Sequence, residues 1–169
     1  MNNFPVQHEG KTYWVSRSVA VTCFVFAPID GEWCVLANLR GPNTPDFQGY
    51  WNCPCGYLDY DETTEEAAVR EVYEETGVKL KNILFFGFND SPSSNKQNVV
   101  FYYYSILLET PSVNLNSASR GGEENEVSEI KWIPLNEINC YKWAFDHDIK
   151  INTLKKCYES IFNSIRNNI

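Results

Sequence analysis

The sequence predicts an α/β/α sandwich around a mixed β-sheet, and three observations carry the prediction. Apolar runs rich in aromatic and β-branched residues recur at Val19 to Ala27, Trp33 to Arg40, Ile83 to Phe88, Val99 to Leu108 and Val127 to Ile133. One strongly capped helix lies between the second and third of them. A second helical period closes the chain from about Asp146. Helices placed before and after sheet segments belong on the two faces of one mixed sheet. At 169 residues and 43% hydrophobic content, one domain spanning residues 1–169 with a sizeable core is expected.

Each element follows from local signals. The first two runs read as strands, and the loop GPNTPDFQG then leads to a short strand at Trp51 to Pro54. Thr63 with Glu66 forms a capping-box signature, and Gly77 is a natural left-handed terminator, which bounds a helix over Thr64 to Thr76. The runs at 83–88 and 99–108 read as buried strands, with SPSSNKQ and ETPSVNLNSASRGG as connecting loops. Val127 to Ile133 adds one more strand. Beyond Asp146, the residues Ile149, Leu154, Cys157, Tyr158, Ile161, Phe162 and Ile165 recur near helical spacing and predict a C-terminal helix packed on the sheet.

The segment GYLDYDETTEEAAVREVYEETGV, Gly56 to Val78, carries the functional information. At about 100° per residue, Glu71, Glu74 and Glu75 fall on one side of its helix and Val69, Val72 and Thr76 on nearly the opposite side. One stripe then faces a core while three carboxylates converge. Like charges three and four residues apart weaken an isolated helix by a few tenths of a kcal/mol per pair, roughly. A divalent cation would turn that repulsion into ligation. A solvated acidic face is the ordinary explanation of such a run, but it accounts for neither Gly56 and Glu62 nor Arg70 and Gly77. Meeting every specified position by chance is on the order of one in ten million at ordinary residue frequencies.

The spacing Gly56, Glu62, Arg70-Glu71-Val72, Glu74-Glu75 and Gly77-Val78 resembles the Nudix box, G-x5-E-x7-R-E-U-x-E-E-x-G-U with U aliphatic, at every specified position. The resemblance implies a Nudix-type fold and a hydrolase that cleaves a nucleoside diphosphate linked to another group, using Mg²⁺ or Mn²⁺. It assigns Glu71 and Glu75 as principal metal ligands and Glu74 as a further ligand or water-orienting group. Arg70 would fix the carboxylates through a fork of hydrogen bonds, and Glu62 would hold the loop and the metal's water shell. Glutamate oxygens with no nearby histidine or cysteine pattern select such hard cations over Zn²⁺. The base that deprotonates the attacking water is a box glutamate or a later carboxylate. Glu123, Glu124 and Glu126, in a Gly-led loop ahead of the 127–133 strand, are the later candidates, with Glu126 preferred.

Two departures and one substrate cue stand beside the box. Many members carry Pro-Gly-Gly where this chain has Pro54-Cys55-Gly56, and cysteine resists dihedrals that glycine reaches. Cys53-Pro54-Cys55 alone makes no metal or redox site, and His8 and His147 are too far apart to form a metal pair. Trp143 to Asp148 resembles an A-F-D-H stretch of members acting on ADP-ribose or sugar nucleotides. It also reads as a plain helix start, with Asp146 as N-cap and Phe145 in the core. Phe47, Tyr50, Trp51, Tyr57, Phe88 and Trp143 are aromatics that could stack a base.

Composition narrows partners. A net charge of −8 and a pI near 4.8 argue against a broad nucleic-acid footprint, so a small-molecule nucleotide is the easier substrate. The N-terminus shows no signal-peptide pattern and no apolar run approaches membrane-spanning length, so a cytoplasmic protein without a membrane partner is expected. Six cysteines in this length make no disulfide framework, and reduced thiols are expected. Family resemblance adds the expectation of a homodimer. Alternatives are a nucleoside triphosphate pyrophosphohydrolase and a non-catalytic nucleotide sensor, the latter expected to show a broken box and an added DNA-binding domain.

Overall fold

The computed structural model describes residues 4–92, 98–114 and 125–166. Two antiparallel strands, β1 (Phe4–His8) and β2 (Lys11–Val15), open the chain as a hairpin. Its two-residue turn is Glu9-Gly10, both with positive φ, which matches the twist of the flanking strands. The sequence reading held no strand here. The same turn geometry recurs at Asp30-Gly31, between β3 (Val19–Ile29) and β4 (Glu32–Arg40).

The main sheet has seven strands, and its path runs β5 (Trp51–Asn52), β4, β3, β8 (Val99–Ile106), β7 (Leu84–Asn89). β3 is used twice: Phe26 to Ile29 pair with β4, whereas Ala20 to Thr22 pair with β6 (Cys55–Tyr57). The sheet therefore parts between β4 and β6. β9 (Val127–Pro134) pairs with β4 along the far side. β3 and β8 run parallel, so the sheet is mixed.

Alternation along β3 divides the core. Val21, Cys23 and Val25 pack under α1 (Thr64–Thr76) with Ala67, Ala68 and Val72, while Phe24 and Phe26 pack under α2 (His147–Arg166) with Ile151 and Leu154. This is the α/β/α sandwich expected. α1 has the expected bounds, with both capping-box bonds present and Gly77 left-handed at φ 78. Val72 and Thr76 are buried as expected, and Val69 is half-buried.

Three expectations need correction. The 83–88 run is no buried strand: β7 is the sheet's edge, and Leu84, Phe85 and Phe88 are exposed. On α2, Ile151 rather than Ile149 faces the core, and Cys157 is exposed, so the apolar stripe is Ile151, Leu154 and Tyr158. Ile161, Phe162 and Ile165 fall outside the described side chains. Of the aromatics that could stack a base or pack in the core, Trp51 is core. Most of the loops at 91–97 and 109–122, with Glu123 and Glu124, lies outside the described residues. All six cysteines are free thiols.

Candidate active site

The site is built on the face of α1 that meets the parting of the sheet. Glu62 immediately precedes the N-cap Thr63, and its Oε1 accepts the Asp59 N–H at 2.8 Å. Arg70, two helical turns on, donates from Nε and Nη2 to the two oxygens of Glu62 at 3.0 and 2.7 Å, a bidentate fork. Its Nη1 donates to Glu71 Oε1 at 2.8 Å and to Glu74 Oε2 at 3.0 Å, and its Nη2 also reaches the Tyr57 carbonyl at 3.0 Å. One guanidinium thus ties three box carboxylates to the loop that precedes the helix. The sequence placed Arg70 as this fork, and the geometry has that form.

Glu75 stands apart from this group, because its carboxylate is buried and takes its donors from the sheet. Asn38 Nδ2 on β4 donates to Glu75 Oε2, and the Cys55 backbone N–H on β6 also stabilises its charge. Gly56 gives Glu71 its place. A Cβ built on Gly56 would lie 2.0 Å from Glu71 Oε1, so only glycine admits that carboxylate against the β6 backbone. Cys55 is not among the residues with positive φ and lies in ordinary strand pairing with Thr22. The glycine it replaces was not needed for backbone conformation here.

Glu126 joins the same charge cluster, since its carboxylate acts electrostatically on both Glu71 and Glu75. The reason is non-local. Gly41, just past β4, donates its N–H to the Glu126 carbonyl at 2.7 Å, and a Cβ on Gly41 would come 2.0 Å from the Asn125 carbonyl oxygen. A glycine thus lets the Glu126 loop press against the end of β4. Nothing in the local sequence around Glu126 signals that contact.

Electrostatics follow the burial. Burial lifts the Glu71 carboxyl to about 7, against the opposing pull of Arg70 and with the charges of Glu74 and Glu126 adding to the rise. Burial pushes Glu75 well above the usual carboxylate range, aided by the charges of Glu71 and Glu126. Glu62 moves the other way, held down by the hydrogen bonds from Arg70. A carboxylate pair that resists ionisation invites a cation.

The residues fit a hard divalent cation. Glu71 and Glu75 supply oxygens in a buried setting, Glu74 lies one helical turn from Arg70 with its Oε2 on that guanidinium, and the Asn38 Oδ1 is buried with no hydrogen-bond partner. Among the described residues no three His, Cys, Asp or Glu side chains form a ready cage, and Glu71 and Glu74 each turn an oxygen to Arg70.

A polar and aromatic group flanks the carboxylates at the end of β4. Arg40 pairs with Asp46 at 2.9 Å and lies 4.9 Å above the Phe145 ring. Phe145 meets Phe47 at 5.0 Å between centroids, and Phe47 meets Tyr50 at 5.6 Å. Phe47, Phe145 and Asp146 all hold left-handed backbone, at φ 51, 59 and 55, a conformation non-glycine residues adopt at a cost. Phe145 is half-buried rather than core, and Phe47 is exposed. Of the other aromatics considered, Tyr57 and Phe88 are exposed and Trp143 donates its Nε1–H to the Ile138 carbonyl at 2.8 Å. His147 is a structural residue. It is buried and accepts the Cys53 N–H at Nδ1 at 3.0 Å, and burial drives its pKa down to about 3. Sequence reading missed Arg40, Asn38 and Gly41; only Arg40, which ends a strand beside a Gly/Pro loop, carried any signal.

The fold and this constellation define a class, the NUDIX domain, and a NUDIX domain match covers residues 16–153. The chain belongs to that family. Its relatives include the NAD-capped RNA hydrolase NudC of Mannheimia succiniciproducens, 30% identical over 125 residues, 72% of this chain and 43% of that protein. Phosphatase NudJ of Escherichia coli O1:K1 / APEC is 28% identical over 120 residues, 71% of this chain and 70% of that one. The chain spans less than half the length of the NudC relatives it matches. Among solved structures, the NUDIX domain of Shewanella oneidensis NrtR complexed with ADP ribose superposes with a TM-score of 0.70 at 24% identity, covering 84% of this chain and 88% of that one. NrtR complexed with a 27mer DNA gives 0.60 at 25% identity, covering 82% of this chain and 60% of that one. Among the described residues no helix is long and apolar enough to cross a membrane.

Proposed function

We propose that the chain is a working Nudix hydrolase that cleaves the diphosphate linkage of a nucleoside diphosphate joined to another group, with ADP-ribose-like or sugar-nucleotide substrates favoured. The observation that carries this is the whole box set in one place: Glu62, Glu71 and Glu74 on Arg70, Glu75 beside them, and Glu126 in the same charge cluster. In this reading Glu71 and Glu75 hold Mg²⁺ or Mn²⁺, with Glu74 as a further ligand or water-orienting group. The cation supplies charge neutralisation to the phosphate oxygens.

The protein's own residues do the rest. Glu126 takes the proton of the attacking water, whose oxygen bonds to phosphorus as the bridging P–O bond breaks in line. Arg70 keeps Glu71 and Glu74 in register with each other, and Glu62 keeps Arg70 in register with the loop. The exposed ring of Phe47 beside Phe145 offers a flat face for a base. The relatives support a diphosphate substrate by name, since NAD is itself two nucleosides joined through a diphosphate.

A panel of ADP-ribose, nucleotide sugars, dinucleotides and nucleoside triphosphates, run with Mg²⁺, with Mn²⁺ and with EDTA, tests this. Metal-dependent release concentrated on diphosphate-linked substrates is the expected result, whereas release of pyrophosphate from triphosphates alone would replace it with the pyrophosphohydrolase reading. The DNA-complexed NrtR neighbour favours one further reading, a nucleotide sensor, and tight nucleotide binding without turnover would establish it. Glu126→Gln is expected to lower kcat at least 100-fold with KM little changed. An unaltered kcat at every pH would return the base role to the box.

A further inference from the structure

We infer that Asn38 is a positioning residue for Glu75, presenting that carboxylate to the cation; this rests on the metal-site reading above. Arg70 holds Glu62, Glu71 and Glu74, and Glu75 is the box glutamate it does not reach in its hydrogen bonds. The side-chain donor to Glu75 comes instead from Asn38 Nδ2, across the parting of the sheet. Asn38 is 1% exposed, on a strand whose neighbours at buried positions are Val35, Leu36 and Ala37. An apolar side chain is the ordinary occupant of such a position, and the amide here leaves its own Oδ1 without a partner.

The chemistry of the pair explains the choice of residue. A lysine or arginine at 38 would orient Glu75 but neutralise the charge a cation needs. An aspartate would add a third buried carboxylate beside Glu75 and Glu71. Asparagine donates a hydrogen bond at no net charge, so it fixes Oε2 and leaves the ligand's charge intact. Side chains that orient a ligand in this way change metal affinity by roughly 10–100-fold when removed.

The test is Mn²⁺ affinity without substrate, read from the free-ion electron paramagnetic resonance signal, in the parent and four variants. Asn38→Leu removes the donor at similar volume, and Asn38→Ser is the second variant should the first not fold. Ser105→Ala removes a part-buried hydrogen bond of another buried polar residue, to the Asn82 carbonyl, and controls for destabilisation alone. Glu75→Gln tests the underlying site. The expected result is Mn²⁺ binding weakened by roughly 10-fold or more in the Asn38 variants, weakened at least as much in Glu75→Gln, and unchanged in Ser105→Ala. Folded Asn38 variants within twofold of the parent, with Glu75→Gln impaired, would overturn the role of Asn38 alone. Unchanged binding in Glu75→Gln would overturn the metal-site reading and the inference with it.

Discussion

Gly56→Ala separates what the fold needs from what the site needs. The new Cβ would lie 2.0 Å from Glu71 Oε1, 2.3 Å from its Cδ and 2.6 Å from Oε2. Real Cβ atoms essentially never approach closer than 3.0 Å, so the nearest oxygen must retreat by at least 1.0 Å (3.0 − 2.0). The atoms that must move are the end of a flexible side chain, and Gly56 has no positive φ, so the fold loses little, about 1 kcal/mol or less. The site loses far more. A displacement of about 1 Å in a positioned group costs on the order of 100-fold in rate, and loss of an oriented ligand costs roughly 10–100-fold in metal affinity. Thermal melting, Mn²⁺ titration and turnover measured on one preparation make the comparison. A variant with parental Mn²⁺ affinity and a rate within threefold would show that Glu71 has no fixed position worth defending, and the argument from Gly56 would fail.

Other substitutions probe the remaining contacts. Arg70→Lys keeps a charge but cannot span Glu62, Glu71, Glu74 and the Tyr57 carbonyl, so kcat should fall by about 10-fold or more; an unchanged rate in a steady-state assay would make Arg70 mere surface charge. Gly41→Ala drives a Cβ into the Asn125 backbone, which cannot yield as a side chain can, so both stability and the Glu126-dependent rate should drop. Equal kcat in a folded variant would detach Glu126 from the site. For pH, His147 is depressed from 6.5 to about 3, so its stabilising contribution is present above 6.5 and is lost as pH falls toward 3. Glu71 is raised from 4.5 to about 7, so its contribution is present below 4.5 and is lost as pH rises toward 7, by roughly 3 kcal/mol at about 1.4 kcal/mol per pH unit. In EDTA, Glu71→Gln should therefore gain stability over the parent between pH 5 and pH 8 in urea melts. A gap that stays constant across that range would contradict a buried, ionising Glu71.

What the sequence disclosed was local. The bounds of α1 were readable because Thr63, Glu66 and Gly77 act within one or two turns of themselves, and the Arg70 fork was readable because it reaches i+1 and i+4 neighbours. The strands β3, β4, β8 and β9 were legible from apolar runs to within about two residues. Their partners were not, and this is why β7 read as buried: its run is as apolar as a central strand's, and only topology makes it an edge. Ile149 and Ile151 are both apolar and two residues apart, so the period alone left the phase of α2 open, and packing on the sheet selected Ile151. The hairpin at β1–β2 did carry a signal in Glu9-Gly10 and in the paired Phe4, Val6, Tyr13 and Val15, but its residues are exposed or half-exposed and bury no apolar stripe. Asn38 and Gly41 act across 37 and 85 residues of chain, on Glu75 and Glu126, and no window of sequence contains either pair.

The parting of the sheet explains why the least stable carboxylate sits where it does. β3 pairs with β6 through Thr22 and with β4 only from Phe26, so β4 and β6 flank a gap on one side of β3. The Asn38 side-chain amide on β4 and the Cys55 N–H on β6 both turn to Glu75. Arg70 relieves the repulsion along α1 for the outer carboxylates, whereas relief for the inner one must come from the sheet and from a bound cation. Binding and folding are coupled in consequence: a cation that offsets the burial of Glu71 and Glu75 stabilises the α1 face against the sheet, and more strongly at a pH where both must ionise.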